Sequence, residues 1–120
     1  MKKIVMITQH ADNFSKLAKG LSAENANEII WADSVATARE AASGLIDLIV
    51  IDENVNGRSG MDIARDMIQV NALANLVLVS TLSSEAFHEA SEGLGILDRI
   101  PSHPDEIDAK RLLNALAALA

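Results

Sequence analysis

The segment Asp47–Gly60, which reads DLIVIDENVNGRSG, decides the fold prediction. Its apolar residues Leu48–Ile51 form one continuous run and do not alternate with polar residues. A continuous apolar run is typical of a strand that helices cover on both faces of a parallel sheet. The segment therefore predicts a central, fully buried strand that ends in a carboxylate, Asp52.

Further apolar segments have the length of strands, and segments with helical spacing separate them. The helical spacing is clearest from Phe14 to Leu21, where apolar residues recur at i, i+3, i+4 and i+7. Five strand–helix units with right-handed crossovers predict an α/β fold, a doubly wound parallel sheet with helices on both sides. The predicted strands are Ile4–Thr8, Glu28–Ala32, Leu48–Asp52, Leu76–Ser80 and Ile96–Ile100.

Residues that favour N-caps mark where the predicted helices begin. Asp12 or Asn13 is the predicted N-cap of the first helix. Ser102 or His103 is the predicted N-cap of the last helix, with Pro104 in its first turn. The other helices are predicted to begin near Asp33–Ser34, after Ser59–Gly60 and after Ser83–Ser84.

The composition limits the class of protein. A chain of 120 residues fits one domain, residues 1–120, since domains usually have ~100–200 residues. Hydrophobic residues make up 49% and charged residues 22%, which excludes a disordered chain. No apolar run approaches the ~20 residues that span a bilayer, and the N-terminus lacks the apolar centre of a signal peptide. We therefore expect a cytoplasmic protein without a membrane partner.

Residue counts also exclude several kinds of site. The chain has no cysteine, which excludes disulfides and cysteine-based metal or catalytic sites. Its three histidines lie far apart in sequence, without the spacing of a metal site on a helix. The net charge is −7, and there are only two phenylalanines and one tryptophan, which argues against direct nucleic-acid binding. We expect no bound cofactor.

The carboxyl ends of the predicted strands define a candidate site. In an open parallel sheet, ligands bind beyond these ends, where the strand order reverses. The predicted ends bring Thr8–Gln9, Asp52, Ser80–Thr81 and Arg99 to a common edge. Asp52 stands out because a carboxylate at the end of an apolar strand loses hydration and needs a cation, a hydrogen bond or exposure. A solvated or helix-capping Asp52 is an equally open interpretation.

The segment Asp47–Gly60 resembles the third strand and following loop of response-regulator receiver domains. In that family an apolar strand ends in the phosphoacceptor aspartate, and a glycine follows eight residues later, as here. The five strand–helix units and Ile100–Pro101, at the family's Lys-Pro position, extend the resemblance over the whole chain. It implies a flavodoxin-like (βα)5 sandwich with strand order 2-1-3-4-5. It also makes Asp52 the phosphoacceptor position and Ser80 and Thr81 the hydroxyls that sense the phosphoryl group.

Groups that the family uses for its chemistry are missing from this sequence. Thr8 and Gln9 occupy the positions of the acidic pair that holds Mg²⁺ with the phosphoacceptor. Mg²⁺ prefers octahedral oxygen ligands, usually with carboxylates among them. We therefore expect no metal site or only a weak Mg²⁺ site, for which Asp52 and Asn54 are the candidate ligands.

The lysine that pairs with the phosphoryl group in the family would align with Ile100. Arg99 is the possible substitute, but side chains alternate faces along a strand, so it could act there only through a bulge. Phosphoryl transfer depends on charge neutralisation by a metal and a cation. The resemblance therefore implies an atypical receiver, or pseudo-receiver, that regulates a two-component or phosphorelay system without enzyme activity and independently of phosphorylation.

Two alternatives remain open for the function. The first is a working phosphoacceptor that uses unusual ligands. The second is a flavodoxin-like cofactor-binding protein, although the loop after the first strand lacks residues typical of a phosphate cradle.

By family analogy, the expected partners are other proteins. They include an output domain, a histidine kinase, or a second copy bound through the fourth helix, fifth strand and fifth helix. The charged or polar residues that this face is expected to present are Glu85, His88, Glu89, Lys110 and Arg111.

Overall fold

The computed structural model describes residues 2–23 and 27–119. Its main sheet is parallel and has five strands: β1 Lys3–Ile7, β2 Glu28–Ala32, β3 Leu48–Ile51, β6 Asn75–Val79 and β7 Asp98–Ile100. Their order is β2-β1-β3-β6-β7. This arrangement confirms the predicted order 2-1-3-4-5, counted over the strands of this sheet.

Helices cover both faces of the sheet, which confirms the doubly wound α/β fold. The helices are α1 Ser15–Ala23, α2 Val35–Ala42, α3 Gly60–Val70, α4 Ser84–Ser91 and α5 Glu106–Ala118. Buried residues of α1 and α5 pack on one face, and buried residues of α2, α3 and α4 pack on the other. Within the described ranges, no helix is both long and apolar enough to cross a bilayer.

The central strand β3 is buried on both faces, as its apolar run predicts. Each of its four residues is at most 1% exposed. Ile49 and Ile51 pack on the side of α2, α3 and α4, and Leu48 and Val50 pack on the side of α1 and α5. β3 pairs with β1 on one side and with β6 on the other. Polar groups can therefore meet water only at the ends of this strand.

A short antiparallel hairpin follows β3 and was not expected from the sequence. Its strands are β4 Asn54–Val55 and β5 Arg58–Ser59. The two turn residues, Asn56 and Gly57, have φ angles of 53° and 77°. Positive φ at both positions is the turn that an Asn-Gly pair favours in two-residue hairpins. The Asn-Gly dipeptide was the sequence signal that could have predicted the hairpin.

The predicted start of the last helix is wrong. Asp105 is the N-cap of α5, so Ser102, His103 and Pro104 all precede the helix. The Asp105 carboxylate accepts a hydrogen bond from the amide of Asp108, and the Asp108 carboxylate accepts one from the amide of Asp105. Each carboxylate thus satisfies a free amide of the first turn, which is the advantage of a capping box.

The predicted cap of the first helix is also wrong. Asp12 and Asn13 lie inside a 3-10 turn, Ala11–Phe14, which leads directly into α1. The backbone carbonyl of Asp12 accepts a hydrogen bond from the Ser15 hydroxyl at 3.0 Å. The three middle helices begin within one residue of the predicted places, at Val35, Gly60 and Ser84. Their N-caps are Ser34, Ser59 and Ser83, each of which accepts a backbone amide hydrogen bond.

Several strand boundaries differ from the predicted ones by one or two residues. Thr8, Asp52 and Ser80 each follow the last residue of their strand, while Ile96 and Leu97 precede β7. The three polar residues therefore lie in the loops at the edge where β1, β3 and β6 end.

The contact between α1 and α5 depends on a glycine. A Cβ atom on Gly20 would lie 2.6 Å from the Cβ of Ala109 and 3.2 Å from the Cα of Glu106. These distances are too short for packed carbon atoms, so a side chain there would push the two helices apart.

We predict that Gly20→Ala lowers the free energy of unfolding in urea denaturation. Overpacking a core contact costs about 1–3 kcal/mol, more than the ~1 kcal/mol that Ala gains over Gly in a helix. The control is Gly44→Ala, because a Cβ there meets nothing within 4 Å. A Gly20→Ala protein more stable than the wild type would contradict this packing.

Candidate functional site

Asp52 lies directly after β3, at the carboxyl edge of the sheet. Its amide donates to the carbonyl of Ile7 at 2.9 Å, which extends the ladder between β3 and β1 by one residue. Its half-buried carboxylate accepts two hydrogen bonds, from the Thr8 hydroxyl and from the Glu53 amide, both at 2.7 Å. These donors offset the hydration that the carboxylate loses.

Thr8 is held in place from several sides. The residue is only 4% exposed, and its amide donates to the carbonyl of Ala32 at 2.9 Å. The Thr8 hydroxyl accepts a hydrogen bond from the His10 amide at 2.9 Å while it donates to Asp52. A fixed, neutral hydroxyl thus contacts the carboxylate from the end of β1.

Gln9 and Asn54 are both exposed. Asn54 is part of the hairpin, and Gln9 contacts its turn. The side-chain oxygen of Gln9 accepts a hydrogen bond from the Asn56 amide at 3.0 Å. Asn54 begins β4 and pairs with Ser59. Gln9 therefore links the loop after β1 to the hairpin turn.

The donor atoms around Asp52 do not fit a carboxylate-based Mg²⁺ site. Among residues 2–23 and 27–119, no group of three or more His, Cys, Asp or Glu side chains could hold a metal ion. The hydroxyl of Thr8 and the amide oxygen of Gln9 are neutral and already accept hydrogen bonds from backbone amides. Mg²⁺ usually requires carboxylates among its ligands, and this edge supplies Asp52 without the acidic pair.

The two predicted sensing hydroxyls have local partners. The Ser80 hydroxyl accepts a hydrogen bond from the Leu82 amide at 3.1 Å. The Thr81 amide and hydroxyl both donate to one carboxylate oxygen of Glu53, at 2.8 and 2.9 Å. Continued strand alternation would turn Glu53 away from Asp52, and its carboxylate reaches Thr81, just past the end of β6. No sequence signal marked this contact.

Arg99 and Ile100 lie on opposite faces of β7. The pairing of β7 with β6 is regular, with Leu78 opposite Arg99 and Val79 opposite Ile100. Ile100 is 2% exposed and packs with the core on the α1 and α5 side. β7 therefore contains no bulge that would bring Arg99 to the face of Ile100.

The guanidinium of Arg99 contacts the start of α4. It donates to the carbonyl of Leu82 and, at 2.7 Å, to the hydroxyl of Ser84. It also lies 5.6 Å from the ring centroid of Phe87, within the range of a cation–π contact. The positive charge of Arg99 is thus placed at α4.

The close approach of α3 to the end of β3 explains why residue 60, eight residues after Asp52, is a glycine. A Cβ on Gly60 would lie 2.7 Å from the backbone carbonyl oxygen of Asp52. The Gly60 amide donates to the carbonyl of Glu53 at 2.9 Å. Only a residue without a side chain lets α3 begin this close to the end of β3.

Two arginines hold the hairpin against the helices through Asp66 on α3. The Asp66 carboxylate lies 2.7 Å from Arg58 of the hairpin and 3.2 Å from Arg39 of α2. The hydrogen bond from Arg58, and then that from Arg39, lowers the pKa of Asp66 below its ordinary value of 3.8. The loop beside Asp52 is thereby attached to α2 and α3.

Comparison with known proteins identifies the fold. No protein-family model matches the chain, and no curated protein matches it. A CheY-like receiver domain protein from Methanospirillum hungatei superposes with a TM-score of 0.81 at 13% identity, covering 98% of this chain and 95% of that one. A two-component response regulator from Clostridium difficile gives a TM-score of 0.79 at 19% identity, covering 98% and 97%.

A BeF3-activated DrrB receiver domain, from the Thermotoga maritima regulator, gives a TM-score of 0.78 at 17% identity and covers 98% of both chains. The chain has the receiver-domain fold. At these low identities the likeness concerns the fold, and the roles of individual residues rest on their own geometry.

The residues expected at a partner surface are all exposed: Glu85, His88, Glu89, Lys110 and Arg111. Arg111 connects α5 to β7, since it donates to Asp98 at 2.8 Å and to Asp108 at 3.1 Å, and the hydrogen bond to Asp98 raises its pKa. Lys110 instead lines a groove between α1 and α5, together with Lys19 and Gly20.

We predict that Thr8→Val lowers the free energy of unfolding by about 1–3 kcal/mol, because the Asp52 carboxylate loses a buried hydroxyl donor. Urea denaturation at neutral pH measures the change. Thr8→Ser is the matched control, since it keeps the hydroxyl. In an Asp52→Ala background the difference between the Val and Ser variants should shrink. Equal stability of the two single variants would contradict the role given to the hydroxyl.

We predict that Asp66→Asn weakens the acid dependence of stability. Because the folded-state pKa of Asp66 lies below 3.8, its ionised form contributes stability above that pH, and the contribution is lost as the pH falls further. The variant should be less stable than the wild type near neutrality, and the difference should narrow below pH ~3.8. Thermal unfolding across pH measures this, with the exposed Asp33→Asn as control. A difference independent of pH would contradict the ion-pair assignment.

Proposed function

We propose that residues 1–120 form one receiver-like regulatory domain of a two-component or phosphorelay system, which acts through contacts with other proteins and has no enzyme activity. We further propose that its action does not depend on phosphorylation of Asp52. The receiver fold supports the first part. The observation that carries the second is the 2.7 Å hydrogen bond from the Thr8 hydroxyl to the Asp52 carboxylate.

The charge balance at the sheet edge supports phosphorylation independence. Phosphoryl transfer is driven mainly by positioning and by neutralising the charge on the transferred group. Around Asp52, the acidic-pair positions are the neutral Thr8 and Gln9, and the lysine position is the buried, apolar Ile100. Arg99 directs its guanidinium to α4. An aspartyl phosphate at Asp52 would therefore lack both a metal and a cation.

The partner surface belongs to the same proposal. We assign it to the α4–β7–α5 face, where Glu85, Glu89 and Arg111 are exposed. The partner would be an output domain, a histidine kinase or a second copy of this chain.

We predict that Mg²⁺ and then beryllofluoride, an analogue of the phosphoryl group, leave the amide NMR spectrum of the ¹⁵N-labelled chain unchanged at millimolar concentrations. The physical reason is that one carboxylate among neutral oxygens binds a hard divalent cation weakly. The resonances to follow are those of Thr8, Asp52, Ser80 and the first turn of α4.

A variant with a restored acidic pair is the positive control for Mg²⁺ binding. In Thr8→Asp/Gln9→Asp the acidic pair is restored, and Mg²⁺ should then shift the signals around Asp52. Asp52→Ala in the same background should abolish the shifts. If both reagents together shift the wild-type signals of Asp52 and of α4, the proposal of phosphorylation independence is wrong. The chain would then be a phosphoacceptor that uses unusual ligands.

A further inference from the structure

The segment Ser80–Ser84, which joins β6 to α4, is held by charged side chains from two neighbouring elements. From one side, the Glu53 carboxylate accepts both the amide and the hydroxyl hydrogen bonds of Thr81. From the other side, Arg99 donates to the carbonyl of Leu82 and the hydroxyl of Ser84. Glu53 follows β3 and Arg99 belongs to β7, so the two contacts bracket the end of β6.

Two further hydroxyls of the segment have local partners. The Ser80 hydroxyl accepts from the Leu82 amide, and the Ser83 hydroxyl caps α4 by accepting from the Ala86 amide. Arg99 also packs over the ring of Phe87, a residue of α4 that is 7% exposed. The position of α4 is thereby coupled to the Arg99 contact through a buried aromatic side chain.

Asp52 takes no part in these contacts. Its carboxylate accepts hydrogen bonds from Thr8 and from the amide of Glu53. The Glu53 side chain reaches Thr81 on the α4 side of the edge, whereas Thr8 lies at the end of β1. Two adjacent carboxylates thus serve different loops.

We propose that Glu53 and Arg99 form a two-sided clamp that sets the conformation of Ser80–Ser84 and the position of α4 independently of Asp52. A carboxylate of the chain itself holds the loop by accepting from Thr81, so no added phosphoryl group is required to order it. Only the regulatory meaning of this clamp rests on the proposed function. The clamp itself is a property of the fold.

Amide hydrogen exchange and NMR shifts of the full chain test the clamp. In Glu53→Ala the Thr81 amide should exchange roughly tenfold faster, because it loses its acceptor. Arg99→Ala should shift the amide signals of Leu82, Ser84 and Phe87. Asp52→Asn, which keeps the side-chain oxygen that faces the Glu53 amide, should leave residues 82–91 unchanged.

Further variants serve as controls. Glu40→Ala removes an exposed carboxylate of α2 and should leave the Ser80–Ser84 segment unchanged. Thr81→Val removes the hydroxyl donor but keeps the amide, so the amide at position 81 should exchange faster than in the wild type, but by less than in Glu53→Ala. This variant preserves the test if Glu53→Ala unfolds.

Two results would overturn the clamp: unchanged Thr81 exchange in Glu53→Ala, or α4 shifts in Asp52→Asn as large as those in Arg99→Ala. Failure of the proposed function is separate, since it shows as a wild-type response to Mg²⁺ and beryllofluoride while the Glu53 and Arg99 variants behave as expected.

Discussion

Burial of β3 between two other strands and two layers of helices is the constraint on which the rest of the structure depends. Each residue of this strand is at most 1% exposed, so every polar group near it must lie at an end. Parallel pairing brings the ends of β1, β3 and β6 to one edge. Thr8 and Asp52 meet there because β1 and β3 stop at matching levels. Ser80 follows β6, which runs one residue further, and the close approach of Gly60 places α3 beside the end of β3.

The same constraint decides how the charges at this edge are balanced. A carboxylate at the end of a buried strand needs donors, since it is partly removed from water. Asp52 obtains them from a hydroxyl and an amide, and Glu53 obtains them from Thr81. The two carboxylates at this edge therefore rest on hydrogen bonds from neutral donors. Arg99 contacts the start of α4 through Leu82 and Ser84.

Apolar runs and spacing predict the helix layers and the position of Asp52, and the resemblance to receiver domains implies the sheet order. Prediction from the sequence fails where a local hydrogen bond competes with a pattern. The capping box of Asp105 displaces the predicted cap at Ser102 or His103. The Glu53–Thr81 contact could not be predicted, since it depends on the direction of a side chain just beyond a strand end. The direction of Arg99 follows from strand alternation and was predictable once the register was known.

Intact mass measurement after incubation with a small-molecule phosphodonor and Mg²⁺ tests most directly whether this edge has lost phosphoacceptor chemistry. We predict an unmodified wild-type chain, because an aspartyl phosphate at Asp52 would face neutral side chains and a buried isoleucine. A phosphate adduct that appears on the wild type and is absent from Asp52→Ala would contradict it. Such an adduct would mean that Asp52 accepts a phosphoryl group without an acidic pair at positions 8 and 9.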